Sequence, residues 1–282
     1  MKKYILLLFL LFSLILAGCG PKTTGKTDFK IITTIYPLHL IVNQIDSTVT
    51  SDALIKGSIS PHHYSAKPSD IVKINRADIL FKIGGPFDSW IDDIVSKNKI
   101  DIKTVNFLGK MKISEDSNPH IWLSFKNSKK LATITDELLN EEYPNNKSNH
   151  KKNLNKFISD LSKLESEWRE KFSELENNKV ILYHPAWKMI LEELNVGITT
   201  VIKNNPQKNI TLKEMRNIID KIKESNTKLI IGEIQHKDPI IKRIEKQTDI
   251  KVIYLNAIGS SEFQTYDQFL KYNLNKIYYG LK

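Results

Sequence analysis

The chain has 282 residues, 40% of them hydrophobic, enough for packed cores and long enough to suggest about two domains. Its formal charge of +10 comes from lysines spread along the sequence. No dense basic block interleaved with aromatics is present, which argues against a nucleic-acid partner.

At the N-terminus Lys2 and Lys3 precede an apolar run from Tyr4 to Leu16, followed by Ala17, Gly18 and Cys19. A positive n-region before a short h-region is the layout of a secretory signal. The run is too short for a comfortable span, and no other segment approaches about 20 apolar residues. The small residues before Cys19, the only cysteine, resemble the lipobox of bacterial lipoproteins. That resemblance implies a signal peptide over residues 1–18, lipidation of Cys19, and attachment to a bacterial membrane. Residues 19–28 then form a polar tether too poor in apolar groups to pack. The folded part is expected outside the cytoplasmic membrane, in a periplasm or at the cell surface.

Phe29 to Ile35 reads as a strand stopped by Tyr36-Pro37, and Leu38, Ile41, Val42 and Ile45 then keep helical spacing. A second strand lies within Val49 to Ile59 and ends at Ser60-Pro61-His62-His63-Tyr64. Lys67-Pro68-Ser69-Asp70 opens a helix with Ser69 as its expected N-cap. Ile79 to Ile83 is a strand closed by Gly84-Gly85-Pro86, and a short strand follows around Thr104. Strands alternating with helices indicate a parallel sheet covered on both faces. After Asn118-Pro119-His120-Ile121-Trp122 comes a helix of about Asn127 to Asn140, ended by Tyr143-Pro144.

The pattern then changes. Leu154, Phe157, Ile158, Leu161, Leu164, Trp168, Phe172 and Leu175 recur every three or four residues through a charged segment, the mark of one long amphipathic helix from about Asn146 to Leu175. A coiled-coil face is the alternative, but the helix sits between two α/β patterns and is read as a backbone packed along both. The second half repeats the alternation with strands at Val180 to Tyr183, Ile198 to Ile202, Leu229 to Ile231 and Val252 to Leu255. Helices run from about Trp187 to Leu194 and Pro239 to Gln247, and Thr211 to Glu214 forms a capping box that opens another. The expected fold is α/β, with two lobes of parallel sheet joined by a long rigid backbone helix. The expected divisions are an N-terminal lobe over 29–145, a linking helix over 146–177 and a C-terminal lobe over 178–282.

In parallel α/β sheets, ligands bind beyond the carboxyl ends of the strands. His62 and His63 follow one strand, His184 follows another, and His120 sits in a loop beside the backbone-restricting Pro119. These are the candidate metal ligands, although their spacing forms no local motif. His236 follows the strand at Ile230 and can reach the same cleft, whereas His39 and His150 read as solvated. Neutral imidazoles suit Zn²⁺, and a nitrogen-rich shell favours it over Mn²⁺. A zinc hydrolase is the rival from another class, but no HExxH pairing is present, and Glu233, the one attractive general base, reads better as a buried structural carboxylate. An adhesin or a binder of a larger metal chelate is a third reading.

Together, Thr33-Thr34-Ile35-Tyr36-Pro37, Pro61-His62-His63-Tyr64, Lys67-Pro68-Ser69-Asp70, Asn118-Pro119-His120-Ile121-Trp122-Leu123, Tyr183-His184-Pro185-Ala186-Trp187 and Glu233-Ile234-Gln235 resemble a known family. It comprises zinc- and manganese-binding lipoproteins that serve as substrate-binding components of ABC metal importers. The resemblance implies two α/β lobes around a long helix, metal held between them by His62, His120 and His184, and delivery to a permease with its ATPase. It implies no enzymatic activity, and a monomer is expected. A histidine at the place of His184 points to zinc, with manganese the alternative. Many members take a fourth ligand from an Asp where this chain has Asn256, which leaves Asn256, His63 and His236 as candidates. The histidine-rich loop of some members is missing, because Lys110 to Ser117 is short and contains none.

Overall fold

The computed structural model describes residues 28–205 and 208–282. The signal peptide, Cys19 and the tether before residue 28 lie outside the described residues. No helix among the described residues is long and apolar enough to cross a membrane.

Two four-stranded parallel sheets form the frame, ordered β2-β1-β3-β4 and β6-β5-β7-β8. The first contains β1 (Lys30–Ile35), β2 (Thr50–Ile55), β3 (Ile79–Lys82) and β4 (Lys103–Asn106). The second contains β5 (Lys179–Leu182), β6 (Gly197–Val201), β7 (Leu229–Glu233) and β8 (Lys251–Leu255). The central strands are buried along their length because helices cover both faces: Ile31 to Ile35 and all of β7 are buried. In both sheets the chain order reverses about the central pair, β1 and β3 or β5 and β7. This is the place where parallel sheets leave a crevice at their carboxyl ends.

The first sheet is flanked by α1 (Tyr36–Ile45), α2 (Pro68–Asn75), α3 (Trp90–Lys97) and the single turn α4 (Phe107–Lys110), and α5 (Phe125–Glu142) follows. Ser69 does not cap α2. Lys67 occupies the N-cap, Pro68 takes the first helical position, where its missing N–H costs nothing, and the Asp70 carboxylate accepts the Lys67 N–H at 2.8 Å. α5 begins two residues earlier than the sequence suggests, because the Ser124 hydroxyl accepts the Asn127 N–H at 3.0 Å.

The long helix α6 covers Lys147–Ser173, 27 residues or about 40 Å. Its buried stripe is Leu154, Phe157, Leu161, Leu164, Trp168 and Phe172, each contributing about 1.5–3 kcal/mol of burial. The stripe is not a partner face, since it packs on α1 and α5 of the first half and on the C-terminal helix α10 (Tyr266–Leu281). His150 is not solvated. It lies fully buried on α6, with Nε2 2.6 Å from Asp46 Oδ2 and Nδ1 2.9 Å from Asn140 Oδ1. His39 is half-buried and bonded to Ser51 and Asn43.

The second half carries α7 (Lys188–Glu193), α8 (Leu212–Ser225) with the expected Thr211–Glu214 capping box, and α9 (Pro239–Thr248). The two halves are tied at several points. The Gly57 N–H donates to the Gly259 carbonyl at 2.6 Å, the Tyr36 hydroxyl to that of Phe263 at 3.0 Å, and Gln235 Nε2 to that of Gly57 at 2.7 Å. Glu193, at the end of α7, accepts the Ser124 hydroxyl and the Phe125 N–H, both at 2.6 Å. A carboxylate from the second half therefore meets the positive end of a first-half helix. α10 crosses back so that the Tyr266 hydroxyl meets the Trp122 carbonyl and Ser128.

Candidate metal centre

Three loops from the two halves converge in the cleft between the sheets. His62 comes from the 3-10 turn after β2, Pro61–His63. His120 comes from the loop between α4 and α5, and His184 from the residues just past β5. One ligand atom from each of these three rings lies within 4.8 Å of the others. A tetrahedral zinc with Zn–N bonds of about 2.0–2.1 Å needs donors about 3.3 Å apart, so ring movements of about an ångström would close the set. His120 and His184 are each 3% exposed, which puts their lone pairs in a site of low dielectric.

Two of the rings are oriented from behind. Glu233, at the end of β7, places Oε1 3.0 Å from His184 Nδ1 across the β5–β7 crevice. Asn118 Oδ1 lies 2.6 Å from His120 Nδ1, while Asn118 Nδ2 donates to the Pro185 carbonyl at 2.8 Å and so fixes the amide orientation. Both rings therefore carry their proton on Nδ1 and leave the Nε2 lone pair for an ion, the arrangement by which outer groups orient metal-binding imidazoles. His62 and His120 pack edge-on against Phe87, at 5.3 and 5.8 Å between ring centroids. The Phe87 loop depends on Gly84, whose φ is +111° and whose added Cβ would fall 2.0 Å from Asn106 Oδ1. Its other anchor is Asp88, which accepts the Ile83 and Gly84 N–H groups and the Thr34 hydroxyl.

Burial holds the His120 imidazole well below its ordinary range, and the neighbouring His184, His62 and His236 push in the same direction. A ring kept neutral is a ring ready to coordinate. Glu115 and Asp116 of the first half and Asn204 of the second border the cleft.

Of the other sequence candidates, His236 lies beside the three rings, 6.1 Å from His62 and 5.8 Å from His184 between centroids. Asn256 is buried, but its Oδ1 accepts the Ile258 and Gly259 N–H groups at 3.2 and 2.9 Å and the Gln235 amide at 3.0 Å. An amide oxygen with two lone pairs has nothing left for an ion, so Asn256 shapes its own loop instead. The His63 side chain lies outside the described residues. Glu233 is the orienting carboxylate of His184 and not a free base. Trp122 is fully buried and donates its indole N–H to the Ala257 carbonyl at 2.7 Å, which joins the His120 loop to the loop after β8. Asn118 and Phe87 were not foreseen as site residues, although Asn118 stands two positions before His120.

Residues 31–280 match the family described as "ZnuA: Zinc-uptake complex component A periplasmic". The chain belongs to this family. Its members are substrate-binding components of ABC metal transporters and not enzymes, which removes the hydrolase alternative. Among curated relatives, a metal ABC transporter substrate-binding lipoprotein of Streptococcus cristatus is 25% identical over 312 residues, covering 100% of this chain and 99% of the relative. A manganese ABC transporter substrate-binding lipoprotein of Streptococcus gordonii is 24% identical, covering 100% of this chain and 99% of its own length. A solved structure described as ZnuA superposes with a TM-score of 0.78 at 24% identity, covering 90% of this chain and 99% of that chain. That likeness bears on the ZnuA-like fold, two sheets joined by the long helix α6.

Proposed function

We propose that this chain is a high-affinity Zn²⁺-binding protein that holds the ion on His62, His120 and His184 and delivers it to an ABC permease and its ATPase. The observation that carries this reading is the meeting of three imidazoles from both halves, with ligand atoms within 4.8 Å. Two of them are turned outward by Asn118 and Glu233. A nitrogen-only donor set favours zinc over manganese by the Irving–Williams order.

Manganese is the second reading, favoured by the Streptococcus gordonii relative, which is named as a manganese protein. The names of relatives as lipoproteins support anchoring through Cys19 to a bacterial membrane, with the folded part outside the cytoplasm. The N-terminal lobe 29–145, linking helix 146–177 and C-terminal lobe 178–282 are the working units. The stiff α6 and the ties between halves favour release by modest loop and lobe shifts over a wide hinge motion.

The test is metal analysis and competitive Zn²⁺/Mn²⁺ titration of wild type beside His120→Ala. One zinc per chain, bound in preference to manganese and lost in the variant, is expected. A manganese preference would shift the reading to the alternative, and no metal uptake would overturn both.

A further inference from the structure

We propose that His236 supplies the fourth donor to the captured ion, closing an all-imidazole shell that selects against manganese. This rests on the reading that His62, His120 and His184 hold the metal.

Ring geometry points to it. Zinc–nitrogen bonds of about 2.0–2.1 Å put each ring centroid about 3.2 Å from the ion and neighbouring rings of a tetrahedron about 5.2 Å apart. Among the three histidines the centroids are 5.8 Å (His62–His120), 5.5 Å (His62–His184) and 4.8 Å (His120–His184) apart. His236 stands 5.8 Å from His184 and 6.1 Å from His62. It stands beside two of these rings, outside the 4.8 Å that unites the ligand atoms of the other three, so joining them takes a larger movement of its side chain than theirs.

The backbone holds it there. The His236 N–H donates to the Glu233 carbonyl at 2.9 Å, and the two residues form an isolated bridge. Glu233 also orients His184, so one strand end sets both second-half rings. His236 Nε2 approaches Ser60 Oγ at 3.4 Å, two residues before His62, so the ring already reaches the first half. That contact is long and weak, and a metal–nitrogen bond readily replaces it.

The competing donors are engaged. Asn256 Oδ1 accepts three hydrogen bonds. Glu233 Oε1 is held by His184 Nδ1. Among the described residues, no carboxylate joins the three histidines as a metal-holding group. Four neutral nitrogens leave the ion's charge uncompensated within the shell. Such a shell suits zinc, and Co²⁺ as its probe, far better than the oxygen-seeking Mn²⁺.

The experiment compares the full wild-type chain, His236→Gln, His236→Asp and His120→Ala by zinc and manganese competition titration. Visible absorption of the Co²⁺ forms and X-ray absorption of the zinc-loaded wild type report the donors directly. His236→Gln is expected to weaken zinc by at least the roughly 10-fold to 100-fold that loss of an outer-shell partner costs, and to change the Co²⁺ spectrum. His236→Asp is expected to lower the zinc-to-manganese preference. Unchanged zinc affinity and Co²⁺ spectrum in His236→Gln, with binding still lost in His120→Ala, would overturn the role of His236 and leave the binding function intact. Absence of zinc uptake by wild type would instead remove the function on which the role rests. If His236→Gln fails to melt cooperatively, the wild-type X-ray absorption decides alone: four imidazoles support the assignment, and three imidazoles with an oxygen donor refute it.

Discussion

Asn118 Nδ2 donates to the Pro185 carbonyl at 2.8 Å, so an amide from the first half is bonded to the residue that follows His184 in the second. The same bond turns Asn118 Oδ1 toward His120 Nδ1 at 2.6 Å. Asn118→Ala frees the His120 ring and unties the cleft together. Zinc affinity is expected to fall roughly 10-fold to 100-fold, as for other outer-shell partners, which a chelator competition titration measures. Wild-type affinity in this variant would mean that the His120 ring is held by Phe87 packing alone.

Glu233 and His184 are both buried, and their contact of 3.0 Å is the second orienting bond. Gln at 233 can still accept the Nδ1–H but supplies no charge, whereas Ala leaves that donor unsatisfied at a cost of about 1–3 kcal/mol. Zinc affinity should therefore rank wild type above Glu233→Gln above Glu233→Ala. An Ala variant that binds as well as the Gln variant would rule out this role.

The depressed His120 couples the stability of the metal-free protein to pH. Its folded value lies below the unfolded one of about 6.5 because burial and three neighbouring imidazoles oppose its charge. The stabilisation that comes from keeping it neutral is complete above about pH 6.5 and is lost as pH falls through the folded value. Thermal melts of metal-free protein from about pH 7.5 to about pH 5 should thus decline more steeply for wild type than for His120→Gln. Zinc, which competes with protons for the same nitrogens, should move the decline to lower pH. Superimposable profiles for wild type and variant would contradict the assignment.

His150 and Asp46 give a prediction about the frame alone. Removing the imidazole takes one hydrogen bond from the buried Asp46 carboxylate, which keeps those of Thr48 and Asn146, and a lost hydrogen bond to a charged group costs about 1.5–3 kcal/mol. His150→Ala should lower the denaturation midpoint clearly, yet bind zinc normally wherever it is folded. Loss of zinc affinity in the folded variant would show that the long helix transmits to the cleft.

Much of this arrangement was readable in the sequence, and the exceptions have physical reasons. Strands such as Ile31 to Ile35 and helix α6 are legible from β-branched runs and from a stripe of three- and four-residue spacing. The histidine cluster was legible because strand ends in parallel sheets face a common crevice. His150 was misread as solvated because its sequence neighbours are polar, while its partners Asp46 and Asn140 come from other helices. The orienting roles of Asn118, Glu233 and Phe87 were hidden because each depends on a contact between separate loops. Asn256 looked like a ligand by position, and only its bonds to Ile258, Gly259 and Gln235 reveal that its oxygen is used. α10 carries Tyr266, Phe269, Leu270, Leu274 and Ile277 at helical spacing, so its apolar face is legible in the sequence as well.

The most direct test of the central claim is zinc stoichiometry and affinity for His62→Ala, His120→Ala and His184→Ala, each checked for cooperative melting. The account predicts one zinc per wild-type chain and a marked loss of affinity in all three variants, because the ion is shared between halves. Retention of wild-type affinity by folded His184→Ala would contradict it, since the ion would then belong to the first half alone.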